Sequence, residues 1–382
     1  MMKVLVNGLL MNDRFSGVEY SIEHLLQAIS RKNISGQYIE VLVSDRYAGE
    51  LKSKENFRLR DVQFSTAYKP GRVLYENFLL GKYFAKANFN LYHSTVYVLP
   101  FFSNIPSVLT VHDLIALDFP QFCKNRTAAY YNLFLPRSVH TAKRIIAVSN
   151  VVRRDIMQRF GISEEKIDVI HHGVDSLFKP VVCREMLRQV ISRYQLPPKF
   201  ILFVGNLEPK KNLVRLINAF IELRKNAAIE HKLVIAGKEG WKYRNIYHVV
   251  EREQLHSEVL FTGYVARKDL PAIYSLADLF VLPSLYEGFG LPVLEAMACG
   301  TPVLVSGEGA LPEVTGNIFP SLDAYNIKDI ARKLMLYLSD TALREKVIDY
   351  GLRRAREFSW DNAAAKTLMT YRQAIAMQTR PF

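Results

Sequence analysis

A chain of 382 residues is long for one hydrophobic core and comfortable for two, and its 49% hydrophobic and 23% charged residues exclude a disordered tail. Three scattered cysteines, Cys123, Cys183 and Cys299, have neither a zinc spacing nor the look of a disulfide framework and suit a reducing, cytoplasmic setting. The formal net charge of +13 favours a phosphate-bearing substrate, an anionic membrane or nucleic acid, and chooses none of them by itself.

In chain order, the start from Met1 to Gly8 reads as a first strand and turn, without the layout of a signal peptide. Predicted strands follow at 3–7, 38–43, 90–93, 107–111, 144–148 and 166–170. Between the second and third lies a basic, aromatic stretch. There Lys52, Lys54, Arg58, Arg60, Lys69, Arg72, Lys82 and Lys86 outnumber Glu55, Asp61 and Glu76, with Phe57, Phe64, Tyr68, Tyr75, Phe78, Tyr83 and Phe84 interleaved. It is either a solvated face over an aromatic core or a binding surface. A break at Tyr194-Gln195-Leu196-Pro197-Pro198-Lys199 precedes a second series of strands at 200–204, 232–236, 259–262, 279–282 and 302–305. Helical patterns lie between them, as at 212–224, where Leu213, Leu216, Ile217 and Phe220 share a face. No apolar run reaches the ~20 residues of a membrane span, so a soluble or peripheral protein is expected.

Strands alternating with helices predict α/β architecture: two doubly wound, Rossmann-like domains facing each other across a cleft, with the boundary near 175–199. In such sheets ligands bind beyond the carboxyl ends of the strands.

The most informative stretch runs from Leu279 to Val303 as strand, tight loop, helix, turn and strand. Gly288 and Gly290 allow close backbone approach, and Pro292 suits a first helical turn. The N–H groups of Phe289, Gly290 and Leu291 then form an anion site made of backbone. Glu287 precedes this site and Glu295 lies one turn down the helix. Two carboxylates beside a phosphate pocket are poor phosphate ligands and good acceptors for sugar hydroxyls on either side of a diphosphate. A surface helix with two unrelated glutamates is the plain alternative.

The Glu287-to-Glu295 pair and its setting resemble the signature of glycosyltransferase family 4. Val204-Gly205-Asn206-Leu207-Glu208-Pro209-Lys210-Lys211-Asn212 resembles that family's phosphate-binding loop. Thr110 to Leu114, Ala147-Val148-Ser149, His172-Gly173-Val174-Asp175 and Leu311-Pro312-Glu313-Val314 match its other landmarks, so the likeness covers nearly the whole chain. It implies the GT-B architecture: an acceptor-binding domain over 1–178, joined by a returning helix at about 361–382, and a nucleotide-sugar donor domain over 195–360. By position, Glu295 would bind the donor ribose, Glu287 hydroxyls of the transferred sugar, and Lys211 the diphosphate, where a cation beside a helix start stabilises the leaving group. Asn206 stands where many members have arginine, and Lys210 is the candidate replacement. Without an Asp-x-Asp motif, no metal and no cofactor is expected.

In the first domain, Ser16-Gly17-Val18 resembles the family's donor-facing glycine turn, with Gly17 approaching the diphosphate. His112 would contact the reacting sugar or help place the acceptor; Asp113 would join it or cap the following turn, and Ser149 would cap the next helix as well as face the cleft. The resemblance implies retention of anomeric configuration, with a hexose moved from a nucleoside-diphosphate sugar of the GDP-mannose kind to a glycan or lipid-linked saccharide, as in mannosyl or deoxyhexosyl transferases of bacterial surface polysaccharides. The basic, aromatic region would meet an anionic membrane on the inner face of the cytoplasmic membrane. The run from Val96 to Phe102 would line an acceptor groove or be core. A sugar-nucleotide epimerase of the same architecture and a catalytically silent sugar-nucleotide binder remain as alternatives. No nucleic-acid reading module is recognisable, so nucleic acid is not an expected partner.

Overall fold

Every apolar run predicted as a strand pairs in one of two parallel sheets of the computed structural model, which describes residues 2–12, 17–32, 36–62, 66 and 69–377. The first sheet contains β1 (Met2–Gly8), β2 (Gln37–Val43), β3 (Phe57–Asp61), β4 (Leu91–Ser94), β5 (Ser107–Val111), β6 (Arg144–Ala147) and β7 (Ile167–Val169), in the order β3-β2-β1-β4-β5-β6-β7. The second contains β8 (Phe200–Val204), β9 (Lys232–Ala236), β10 (Val259–Gly263), β11 (Leu279–Leu282) and β12 (Val303–Val305), in the order β10-β9-β8-β11-β12. Central strands such as β5, β8 and β11 are buried at every position, as helices on both faces of a parallel sheet require. Strand β3 escapes the sequence reading. It is an edge strand that buries Phe57 and exposes Arg58, Arg60 and Asp61, so its composition reads as surface.

Six helices matter to the sites: α1 (Gly17–Arg31), α2 (Asn125–Thr141), α3 (Asn150–Phe160), α4 (Leu213–Asn226), α5 (Leu291–Ala298) and α6 (Trp360–Ala376). Leu213, Leu216, Ile217 and Phe220 of α4 are all buried, so its apolar stripe faces the second sheet's core. Ser149 caps α3, its Oγ accepting from Val152 N at 3.1 Å. Ser359 caps α6 in the same manner, accepting from the Asp361 and Asn362 amides.

The chain divides into two units, Met1–Gly173 with Ser359–Phe382, and Val174–Phe358. The division differs from the expected boundaries of 178, 195 and 360. Val174 N donates to Phe358 O at 3.1 Å, and the helix Arg184–Tyr194 is held in the second unit by Arg193 and Tyr194, which donate to Asp269 Oδ2 at 2.6 Å and 2.9 Å. Gly173 stays with the first unit, its backbone pressed so closely on Trp360 that a Cβ would lie 2.2 Å from that residue's nitrogen. Helix α6 does return to the first sheet. Tyr371 Oη meets His93 Nδ1 at 2.7 Å, and Thr370 Oγ1 donates to Asp168 Oδ2 at 2.8 Å. It ends at Ala376, short of the expected 382, and the last five residues lie outside those described.

Candidate active site at the two switch points

Each sheet reverses its strand order once, between β1 and β4 in the first unit and between β8 and β11 in the second. In open parallel sheets the loops at such a reversal leave in opposite directions, and that is where ligands generally bind.

In the second unit both critical loops leave that point. From β8 the chain passes Gly205 and Asn206 into a tight turn, Pro209–Lys211, then through Asn212 in the left-handed conformation into α4. The Asn212 amide donates to Pro283 O at 3.1 Å and Ala324 O at 2.6 Å, pinning this loop to the one after β11. From β11 the chain passes Ser284 and Glu287 to Gly290, where φ of 111° favours glycine and the Leu311 side chain lies 2.7 Å from where a Cβ would stand. Gly309 braces the same loop from the other side: a Cβ there would lie 2.5 Å from Glu287 O.

These constraints bring Lys211 and Glu287 together. Lys211 Nζ donates to Glu287 Oε1 at 2.5 Å, Ser284 Oγ donates to the same oxygen at 2.7 Å, and Lys210 Nζ stands 4.0 Å from Oε2. Burial raises the Glu287 carboxyl, but the two lysines outweigh it and hold the group below the usual carboxylate range. The expected leaving-group cation is therefore paired with the expected sugar ligand, and Lys210 comes close to the same carboxylate. Asn206 turns instead to Glu208, donating from Nδ2 at 3.3 Å. The Gly290 and Leu291 amides have no acceptor among the described residues and open α5, with Pro292 in its first turn.

Glu295 lies in a separate nest. Tyr274 Oη donates to its Oε2 at 3.0 Å, and Arg267 stands 3.7 Å from Oε1 while also pairing with Asp175 at 3.0 Å. Burial raises this carboxyl to about 7, with Arg267 and Tyr274 opposing. Arg267, Asp175, Tyr274, Ser284 and Glu208 are the participants that sequence reasoning missed. Ser284, Glu208 and Asp175 lie in or beside the motifs quoted above, without a sign of these pairings; Arg267 is far from Glu295 in sequence and only folding joins them.

In the first unit, His112 directly follows β5. It is buried at 6% exposure, and its Nε2 donates to Thr95 O at 2.9 Å, which leaves Nδ1 as an acceptor without a partner. Burial lowers its pKa, against the pull of that bond and of Asp113, so the ring is neutral at pH 7. His172 lies 5.6 Å away between ring centres, and burial lowers it too. Asp113 accepts from Ile115 N at 3.2 Å, the turn-capping alternative. Gly17 opens α1 with no atom within 4 Å of where a Cβ would stand, while Ser16 lies outside the described residues. In the run after β4, Val98 and Leu99 are core whereas Phe102 is 69% exposed.

Comparison with known proteins follows this division. Residues 15–176 match the family described as Glycosyltransferase Family 4, and residues 189–354 the family described as Glycosyl transferases group 1. O-antigen chain mannosyltransferase B of Escherichia coli is 33% identical over 283 residues, covering 74% of each chain. Serotype-specific mannosyltransferase WbdA of Escherichia coli is 31% identical over 303 residues, covering 72% of this chain and 36% of that one, so the match spans about a third of that relative. Among solved structures, sucrose-phosphate synthase from Thermosynechococcus elongatus aligns with a TM-score of 0.77 at 20% identity, over 99% of this chain and 100% of that one. WaaG, a glycosyltransferase of lipopolysaccharide biosynthesis, aligns at 0.73 and 16% identity over 95% and 98%.

Proposed function

Because the chain belongs to glycosyltransferase family 4, we propose that it moves a hexose, with retention and without a metal, from a nucleoside-diphosphate sugar to a hydroxyl of a glycan or lipid-linked saccharide. The observation that carries this reading is the approach of Lys211 and Lys210 to Glu287 at the second switch point, beside the open amides of α5. A diphosphate at those amides gains the helix dipole and two cations, and Glu287 is freed to accept from sugar hydroxyls. Glu295, when ionised, accepts both hydroxyls of a ribose. Mannose as the sugar is supported by the names of the two Escherichia coli relatives, and GDP is the carrier proposed with it.

In the proposed step the acceptor oxygen bonds to the anomeric carbon on the face the diphosphate leaves. The anomeric C–O bond breaks, its electron pair goes to the diphosphate, and a diphosphate oxygen takes the acceptor proton. Lys211 and the α5 amides stabilise the charge that grows on the leaving group. Neutral His112 offers Nδ1 as an acceptor to a sugar hydroxyl.

An anionic membrane is the proposed partner surface. Its support is the exposed set Leu74, Phe78, Leu79, Phe102 and Leu133 in the first unit, in segments that also carry Arg72, Lys124 and Arg126. Flotation with anionic but not with neutral vesicles is expected; equal behaviour with both would contradict it. Among the described residues no helix is long and apolar enough to cross a membrane.

The test of the reaction is incubation of the purified chain with GDP-mannose and UDP-glucose, saccharide acceptors and EDTA. One donor is expected to yield free nucleoside diphosphate and a product of unchanged anomeric configuration by NMR. Epimer formation without nucleotide release, or nucleotide binding without turnover on any acceptor, would contradict it.

A further inference from the structure

Three arginines crowd the end of the helix Thr341–Ala355 in the second unit. Arg353 and Arg356 are exposed, whereas the side chain of Arg354 is only 21% exposed. A charge withdrawn from water needs partners, and Arg354 has them. Its Nε donates to Val314 O at 3.1 Å, its Nη2 donates to Glu313 O at 2.8 Å, and its Nη1 pairs with Glu357. The two carbonyls end the short helix Leu311–Thr315, where the last turn has no partners of its own, and the planar fork of one guanidinium meets both. Tyr350, one turn earlier on the same helix, closes on the next residue: its Oη lies 2.1 Å from where a Cβ at Gly316 would stand.

The short helix in turn supports the loop from Glu287 to Gly290. Val314 N donates to Ala310 O at 3.0 Å, and Ala310 N donates to Glu287 O at 2.9 Å. Leu311 packs against Gly290 on the same side. A second arm leaves the face of the guanidinium. Its carbon lies 4.8 Å over the Phe358 ring, and Phe358 meets Phe289 edge to face at 5.8 Å between ring centres. Phe289 is the residue before Gly290. One side chain therefore braces the loop from two flanks, through the short helix to Glu287 and through two rings to Phe289.

Packing makes both arms stiff. Ala310, Leu311 and Val314 are fully buried, and Phe289 and Phe358 are 5% and 4% exposed. Close-packed side chains transmit a displacement instead of absorbing it. At the far end stand the Gly290 and Leu291 amides, and backbone donors hold a ligand only when they are placed to a fraction of an ångström. A helix cap that served stability alone would need the two carbonyls and no arm into the loop.

We propose that Arg354 is a positioning residue for the donor's diphosphate: without touching it, the guanidinium sets where the Gly290 and Leu291 amides point. The inference rests on the glycosyl-transfer reading. The test is calorimetric titration of GDP and UDP, with saturation-transfer NMR of guanosine and uridine, on wild type, Arg354→Ala, Arg354→Lys and Arg356→Ala. The nucleotide that binds the wild type should bind Arg354→Ala at least about fivefold more weakly, while its nucleoside binds all four proteins alike to within about twofold. Arg354→Lys puts one ammonium in place of a two-pronged fork and should lose at least about threefold on the diphosphate alone. It carries the test if Arg354→Ala does not fold. Arg356→Ala, which removes an exposed arginine from the same stretch, should match the wild type. Unchanged diphosphate affinity in both Arg354 variants, or an equal loss for nucleotide and nucleoside, would overturn the proposal and leave the donor reading intact. A wild type that binds neither nucleotide would overturn both.

Discussion

The two switch points occupy the same place in two similar sheets and hold opposite chemistry. At the second, Lys210 and Lys211 gather at Glu287 within one pair of loops, and this buried carboxylate stays ionised because two ammonium groups attend it. At the first, burial lowers His93, His112 and His172 and keeps them neutral, and tyrosines supply much of the wall. On the proposed reading the carboxyl ends of the strands set the place, and the loops tune the second point to a diphosphate. The difference has measurable consequences.

The largest effect is expected at Lys211. Lys211→Ala should lower turnover at least about 100-fold, the scale of losing one preorganised charge at a leaving group, while nucleoside diphosphate affinity changes only a few-fold. It also leaves Glu287 buried with its closest partner gone, at a cost of about 3 kcal/mol in denaturant unfolding. Adding Glu287→Gln should restore the stability and not the turnover. Normal turnover in Lys211→Ala would remove the charged half of the comparison.

His112→Ala should lower turnover by about 100-fold without a change in nucleotide affinity, a loss on the scale of a positioned polar contact to the reacting sugar. Because burial holds the ring's pKa below the ordinary 6.5, the wild-type rate profile should show no histidine limb above pH 7. A limb that disappears in His112→Ala would contradict the neutral assignment.

Salt tests the charged point directly. Raising ionic strength from about 50 mM to about 500 mM should weaken nucleoside diphosphate binding several-fold, because screening acts on charges.

Glu295 tests the sign of a buried carboxylate. Its pKa of about 7 lies above the ordinary 4.5, so the native state keeps a proton that the unfolded chain releases between those values. Stability should therefore fall as pH rises through that window. Glu295→Gln should remove the slope, melting a few degrees above the wild type at pH 8 and level with it near pH 4. The smallest effect is expected from Ser149→Ala, about 1 kcal/mol of stability through loss of a helix cap, with turnover intact.

The sequence was legible where local chemistry and burial agree. Central strands are continuous apolar runs, and the α4 stripe of Leu213, Leu216, Ile217 and Phe220 has one reading. Edge strand β3 was hidden because its outward residues are charged. Lys211, Glu287 and Glu295 could be picked out by position in a motif, but not the pairing of Lys211 with Glu287, which follows from Asn212 pinning two distant loops. Arg267 carried no signal, since a partner joined by tertiary contact leaves no periodicity behind, and Asp175 stood in a landmark motif without a hint that it would pair with Arg267.

Calorimetric titration of GDP and UDP into wild type and Glu295→Gln at pH 8 tests the account at its centre. One nucleotide should bind the wild type at least tenfold more tightly than the variant, with the gap closing as pH falls below about 7 and the wild-type carboxyl takes up its proton. Equal affinities at pH 8, or a gap that does not change with pH, would contradict the assignment of this carboxylate to the donor's ribose.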